Sequence, residues 1–179
     1  MLLQRTDGNI KLINAEPTHM EKTLDKLKEC GCDISIEKDQ ISLKAPEKIS
    51  HVDIKTEPYP GFPTDMQSIF VAALIQSDGI SSMEENIFEN RYKYVSELKK
   101  MGVNIIQEGR KIEITGEKNI KSTNLKAMDL RGGAALVIAA LQAEGVTEIS
   151  NIEYILRGYE NLDEKLRKLG AKIKVEEGE

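Results

Sequence analysis

The residues best suited to chemistry are one carboxylate and three guanidinium groups. The carboxylate is Asp65, in the run Pro58-Tyr59-Pro60-Gly61-Phe62-Pro63-Thr64-Asp65-Met66-Gln67, where three of the chain's five prolines fall within six residues. Closely spaced prolines leave the backbone extended, with few accessible conformations. Thr64 and Gln67 have the spacing of a capping box, so a helix is expected to start there with Asp65 as its first residue. Ile69-Phe70-Val71-Ala72-Ala73-Leu74-Ile75 is too continuously apolar for a surface helix and predicts a buried one. A carboxylate at the mouth of a buried helix, on a stiff approach, is a side chain fixed in space for a ligand. The plainer reading is that an acid there only complements the helix dipole.

Arg131 follows Asp129-Leu130 and precedes Gly132-Gly133 at the start of a second apolar helix, predicted over Ala134–Ala143. Two residues without side chains would let an anion reach backbone amides at a helix start. Asp129 reads as the cap of that helix. Arg91, in Glu89-Asn90-Arg91, and Arg157, in Leu156-Arg157-Gly158-Tyr159-Glu160, would each pass alone for a solvated helix residue. Both, however, sit about a dozen residues before a helix-ending glycine, in equivalent places of a repeat.

The elements that must position these groups follow in order. A first helix is expected from Thr18, where Thr18 and Glu21 form a second capping-box pair, with Met20, Leu24 and Leu27 on one stripe and Gly31 as its stop. Strands are predicted at Asp33–Glu37, Gln40–Lys44, Val52–Thr56 and Ile80–Glu84. A helix with Tyr94, Val95, Leu98 and Met101 inward ends at Gly102, before a hairpin of Val103–Gln107 and Lys111–Thr115. Beyond the second apolar helix come a strand near Glu148–Ile152, an amphipathic helix carrying Leu162, Leu166 and Leu169, and a final strand Lys172–Glu176.

Three stretches share one pattern: Leu27-Lys28-Glu29-Cys30-Gly31-Cys32-Asp33-Ile34, Leu98-Lys99-Lys100-Met101-Gly102-Val103-Asn104-Ile105 and Leu166-Arg167-Lys168-Leu169-Gly170-Ala171-Lys172-Ile173. Their glycines are 71 and 68 residues apart. That period exceeds ordinary solenoid repeats and predicts compact β-α-β-α-β-β units around a common core. The partial first unit covers about 1–50, the second 51–118 and the third 119–179. Three units would supply three buried helices and only two are present, so the chain reads as part of a longer polypeptide.

Composition narrows the function. The 179 residues carry a formal charge of −5, 31% charged residues, 4% aromatics and no Trp. An acidic chain poor in aromatics suits neither a nucleic-acid surface nor single-strand stacking, and no apolar run is long enough for a membrane span. Cys30 and Cys32, one residue apart, would point to opposite faces of a strand, so a disulfide between them is not expected, which fits a reduced, cytoplasmic setting. His19 and His51 are the two histidines, and no metal site is expected.

Phe62-Pro63-Thr64-Asp65-Met66-Gln67, Glu89-Asn90-Arg91, Asp129-Leu130-Arg131 and Arg157-Gly158-Tyr159-Glu160, in this order and spacing, resemble the enolpyruvyl transferases. Among them the Pro-Thr-Asp-Met-Gln run is most similar to the UDP-N-acetylglucosamine 1-carboxyvinyltransferases of peptidoglycan synthesis. The resemblance implies an α/β fold, an inside-out α/β barrel domain whose first unit is incomplete here, facing a second domain not encoded in this chain. It implies phosphoenolpyruvate and UDP-N-acetylglucosamine as partners and no cofactor. It assigns Asp65 to the sugar's 3-hydroxyl as catalytic acceptor of its proton, and Ile87 and Phe88 to the nucleotide-sugar through their backbone. Arg91 and Arg131 fall to the phosphoenolpyruvate carboxylate and Arg157 to its phosphate, with Thr64 and Asp129 in support. Gly132, commonly Ala in the family, and Tyr154, His in some members, depart from its pattern. The family's general acid lies in a Gly-rich loop whose context neither Cys30 nor Cys32 has, so the chain alone is expected to be inactive. The alternatives are a stand-alone nucleotide-sugar binding module and the sister transferase acting on shikimate 3-phosphate.

Overall fold

Residues 8–176 are described by a computed structural model. The elements run β1 (Asn9–Leu12), a 3-10 turn (Pro17–Met20), α1 (Glu21–Glu29), β2 (Asp33–Glu37), β3 (Gln40–Lys44), β4 (Asp53–Lys55), α2 (Thr64–Leu74) and β5 (Ile80–Glu84). They continue with α3 (Val95–Lys100), β6 (Asn104–Glu108), β7 (Lys111–Thr115), β8 (Asn124–Lys126), α4 (Leu130–Ala140), β9 (Glu148–Ser150), α5 (Glu153–Leu156) and α6 (Leu162–Lys168). This is a mixed α/β fold. Among the described residues no helix is long and apolar enough to cross a membrane.

The middle of the chain forms a four-stranded sheet in the order β4-β5-β7-β6, with β4 parallel to β5 and the other pairs antiparallel. Alternation makes β7 a half-buried strand: Ile112 and Ile114 point into the core while Lys111 and Glu113 face out. The amino-terminal sheet, β1-β3-β2, is antiparallel throughout. In it β1 stands against β3 as β5 stands against β7, so the smaller sheet repeats the larger one without its parallel edge strand. β8 and β9 form a parallel pair, as do β4 and β5. The repeat-equivalent glycines Gly31, Gly102 and Gly170 all have positive φ, at 93°, 86° and 91°.

α2 and α4 are the centre of the molecule. Val71, Ala72, Leu74, Ala135, Leu136 and Ala139 are fully buried, and one apolar cluster spans both helices, α3 and the middle sheet. The two helices run in the same direction. Near their starts the Ser68 hydroxyl donates to the Arg131 carbonyl at 2.9 Å, and near their ends the Gln142 side-chain amide donates to the Ala72 carbonyl at 2.7 Å. Two parallel helices placed side by side bring their first turns together, and those turns carry Asp65 and Arg131. Upstream, Phe62 packs edge-on against Phe70 with ring centroids 5.1 Å apart, which anchors the proline-rich approach to α2.

Several expectations are corrected. Thr64, not Asp65, is the first residue of α2, and Thr64 and Gln67 form no capping box, because tertiary partners take both side chains. The Thr64 hydroxyl bonds Glu85, while buried Gln67 accepts from the Tyr94 hydroxyl at 3.2 Å. Pro63 stands at the N-cap, and its carbonyl receives the Met66 amide at 3.0 Å. Thr18 and Glu21 form no box either. Pro17 starts a 3-10 turn one turn earlier, capped by Glu16, which accepts from the Thr18 amide and hydroxyl. Lys172–Glu176 is not a strand, since among the described residues no neighbouring strand supplies its ladder; Ile173 packs on a small apolar cluster with Leu166 and Ala171 instead. The second apolar helix spans Leu130–Ala140, starting four residues before the expected Ala134 and ending three before Ala143. β1 carries no strong periodic signal and was not expected.

Candidate active site

Asp65 projects from the first turn of α2 between two arginines. Its Oδ1 lies 2.6 Å from Arg91 Nη2, and its Oδ2 lies 2.6 Å from Arg131 Nη2. One carboxylate thus bridges guanidinium groups from two different loop–helix junctions, 26 residues downstream in one case and 66 in the other. The hydrogen bond from Arg131 chiefly holds the Asp65 carboxyl below its usual range, with the charges of both arginines and the bond from Arg91 adding to it against partial burial. The same Asp65 bond pushes the Arg131 guanidinium further up.

Each arginine rests on an aromatic ring. The Arg91 guanidinium lies 5.1 Å from the Phe88 ring, Arg131 lies 5.5 Å from Tyr159, and Arg157 lies 5.4 Å from Tyr154. Arg131 also donates through Nη1 to the Tyr159 hydroxyl at 3.1 Å. Arg91 Nε is buried and has no partner among the described residues. A planar, singly bonded guanidinium keeps further donors for a carboxylate or phosphate.

Arg157 is placed differently. It is exposed and forms no ion pair among the described residues. Its loop nonetheless borders the start of α4. A β-carbon added at Gly158 would lie 2.7 Å from both δ-carbons of Leu130, the residue before Arg131, so a larger residue in the Arg157–Tyr159 turn would have to displace the Leu130 side chain.

The glycines after Arg131 do not cradle an anion, contrary to expectation. The Gly132 amide donates to Asp129 Oδ1 at 2.7 Å, and the Gly133 amide to the Asp129 carbonyl at 2.9 Å. Asp129 is the N-cap of α4 and uses both donors itself. The glycines serve packing instead. An added β-carbon at Gly132 would stand 3.0 Å from Tyr94 Cβ, and one at Gly133 would stand 2.7 Å from Ile155 Cγ1.

Ile87 is half-buried and Phe88 exposed, and their backbone amides converge on one acceptor, Glu85 Oε1, at 2.9 and 3.0 Å. Sequence reasoning passed over Glu85, Tyr159 and Ser68. Tyr159 lies inside the Arg157-Gly158-Tyr159-Glu160 run, and its spacing from Arg157 was the available signal. Glu85 and Ser68 gave none, because an acid at a strand end and a serine in a helix have no meaning until their partners are known.

Residues 5–166 match the EPSP synthase (3-phosphoshikimate 1-carboxyvinyltransferase) family. The UDP-N-acetylglucosamine 1-carboxyvinyltransferase of Desulfofundulus thermocisternus is 49% identical over 168 residues, 94% of this chain and 69% of that protein. UDP-N-acetylglucosamine 1-carboxyvinyltransferase 1 of Caldanaerobacter subterraneus subsp. tengcongensis is also 49% identical, but the match spans 40% of its length. Among solved structures, the enolpyruvyl transferase NikO from Streptomyces tendae superposes with a TM-score of 0.85 at 23% identity, over 97% of this chain and 42% of that one. EPSP synthase from Acinetobacter baumannii gives 0.74 at 16% identity, over 98% and 43%. At such identities the two structures speak for the fold alone, while the match along nearly the whole sequence speaks for descent. The chain belongs to the EPSP synthase family, the enolpyruvyl transferases.

Proposed function

We propose that this chain forms one wall of the active site of a UDP-N-acetylglucosamine 1-carboxyvinyltransferase, which moves the enolpyruvyl group of phosphoenolpyruvate onto the sugar's 3-hydroxyl. The observation that carries this reading is the Asp65 carboxylate held between Arg91 and Arg131. It puts a proton acceptor beside two cations of the kind a carboxylate substrate needs. Relatives 49% identical bear that activity in their names. Because most span far more sequence than this chain, the activity is proposed for the whole protein. In it the β-α-β-α-β-β units would form an inside-out α/β barrel, the incomplete first unit about 1–50, the second 51–118 and the third 119–179.

In the reaction, the sugar oxygen attacks C2 of phosphoenolpyruvate, the carbon that bears the phosphate, while C3 takes up a proton, giving a tetrahedral intermediate. Loss of that C3 proton and departure of phosphate from C2 restore the double bond. Asp65 receives the hydroxyl proton. Held between Arg91 and Arg131 it is a weak base, because two guanidiniums stabilise its anion. An incoming carboxylate that takes Arg91 and Arg131 removes that stabilisation and returns basicity to Asp65 when the hydroxyl arrives. Arg157, on the neighbouring loop, meets the phosphate, and the backbone at Ile87 and Phe88 meets the nucleotide-sugar. The resemblance assigns the proton for C3 to a Gly-rich loop of a facing domain, so turnover is proposed for the protein that carries both.

The test is to follow the arginine side-chain resonances of the labelled protein by NMR while adding phosphoenolpyruvate. Arg91 and Arg131 should shift first, and Asp65→Asn should tighten binding by removing the internal competitor. UDP-N-acetylglucosamine, rather than shikimate 3-phosphate, should then move the amides of Ile87 and Phe88. Arginine signals indifferent to phosphoenolpyruvate, or a response to shikimate 3-phosphate alone, defeat the reading.

A further inference from the structure

We infer that Glu85 is a positioning residue that sets the place of Asp65 and of the Ile87–Phe88 backbone together. The inference concerns the site proposed above and rests on that reading for its link to catalysis. Glu85 follows directly after β5 and is 1% exposed. Among the described residues no lysine or arginine pairs with it. Instead four donors surround its carboxylate: the Thr56 hydroxyl at 2.9 Å and the amides of Ile87 and Phe88 at 2.9 and 3.0 Å on Oε1, and the Thr64 hydroxyl at 2.9 Å on Oε2.

A buried carboxylate without a cation is costly unless its acceptor sites are filled, and this one has them filled by groups from three segments. Thr56 ends the strand segment leading into the proline-rich approach. Thr64 opens α2 and is the immediate neighbour of Asp65. Ile87 and Phe88 begin the loop that carries Arg91, whose guanidinium rests on the Phe88 ring. Thr56 also accepts from the Asn86 amide at 2.8 Å, which closes the knot. Both partners of the Asp65–Arg91 pair therefore take their positions from the same buried anion, through segments that touch it on opposite oxygens. A fold needing only a stable turn here could fill the position with an apolar side chain. An unpaired buried acid is explained by its ability to hold several donors at once.

The experiment uses the 179-residue chain and two variants, Glu85→Ala, which removes all four contacts, and Thr64→Val, which removes only the tie to α2. The readout is the titration of the Asp65 carboxyl carbon by NMR, with Asp163, paired to Arg167 on α6, as internal control. In both variants Asp65 should titrate closer to the ordinary carboxylate range than in the parent, while Asp163 stays where it was. A merely structural role would lower the unfolding midpoint without moving Asp65 in the folded protein. If Glu85→Ala does not fold, Thr64→Val decides. Asp65 unmoved in folded Thr64→Val overturns the inference. Phosphoenolpyruvate added to the parent chain tests the catalytic reading separately: failure to bind would remove the proposed function and leave the Asp65 titration as the judge of Glu85.

Discussion

The Ser68 hydroxyl hydrogen-bonds the carbonyl of Arg131 across 2.9 Å, from inside one buried helix to the first turn of the other. It fixes the offset at which Asp65 and Arg131 face each other. Ser68→Ala should cost about 1 kcal/mol, the net worth of one such bond. Urea unfolding measures this, and a variant as stable as the parent would show that packing alone sets the offset.

The pH dependence of Asp65 has a definite sign. Its folded-state pKa is depressed, chiefly by the Arg131 hydrogen bond. The stability it contributes is therefore present above the unfolded value of about 4 and is lost as pH falls through the lower folded value. Asp65 is 53% exposed, so solvent screening keeps the contribution below about 1 kcal/mol. Unfolding midpoints of the parent and Asp65→Asn should differ at neutral pH and converge in acid. A difference that grows on acidification contradicts the ion-pair account.

Gly133→Ala places a methyl group against Ile155 Cγ1 and Ala127 Cβ, at 2.7 and 3.2 Å. Overpacking of this kind costs about 1–3 kcal/mol. The strain falls on α5, just ahead of Arg157, so the Tyr154 and Arg157 resonances should move more than those of Arg91. A drop in unfolding temperature with unchanged α5 signals would place the strain elsewhere.

Cys30 is buried and its thiol is pushed up to about 12, mainly by desolvation; Cys32 is raised as well, for the same principal reason. At pH 8 alkylation of native Cys30 should run slower than in the unfolded chain by a factor of about a hundred or more, because the thiolate is the reactive form. Mass spectrometry after an iodoacetamide pulse reads the rates. Fast native labelling of Cys30 would show that α1 opens readily.

What the sequence made legible is whatever depends on local pattern. Ile112 and Ile114 alternate with charged residues, and Lys111–Thr115 is a strand with the expected bounds. Tyr94, Val95, Leu98 and Met101 are all buried, as their spacing demands. The meeting of Asp65 with Arg91 and Arg131 was foreshadowed by helix starts recurring in a repeat. The failures at the starts of α2 and α4 share one cause. Thr64, Gln67, Gly132 and Gly133 were read for what their neighbours in sequence could offer, whereas Glu85, Tyr94, Asp129 and Ile155 claim them across space or by a different local bond. Local chemistry names the candidates for a polar side chain's partner, and burial chooses among them.

The bond from Gln142 to the Ala72 carbonyl, at the far end of α2 and α4, gains significance beside the one from Ser68. Tied at both ends, the pair resists shear: sliding one rod past the other would break both bonds at once, at a cost of about 1 kcal/mol each. Gripping a ligand between Asp65 and Arg131 must then be accomplished by side chains and the loops bearing Arg91 and Arg157, and any larger swing has to carry both rods as a single block.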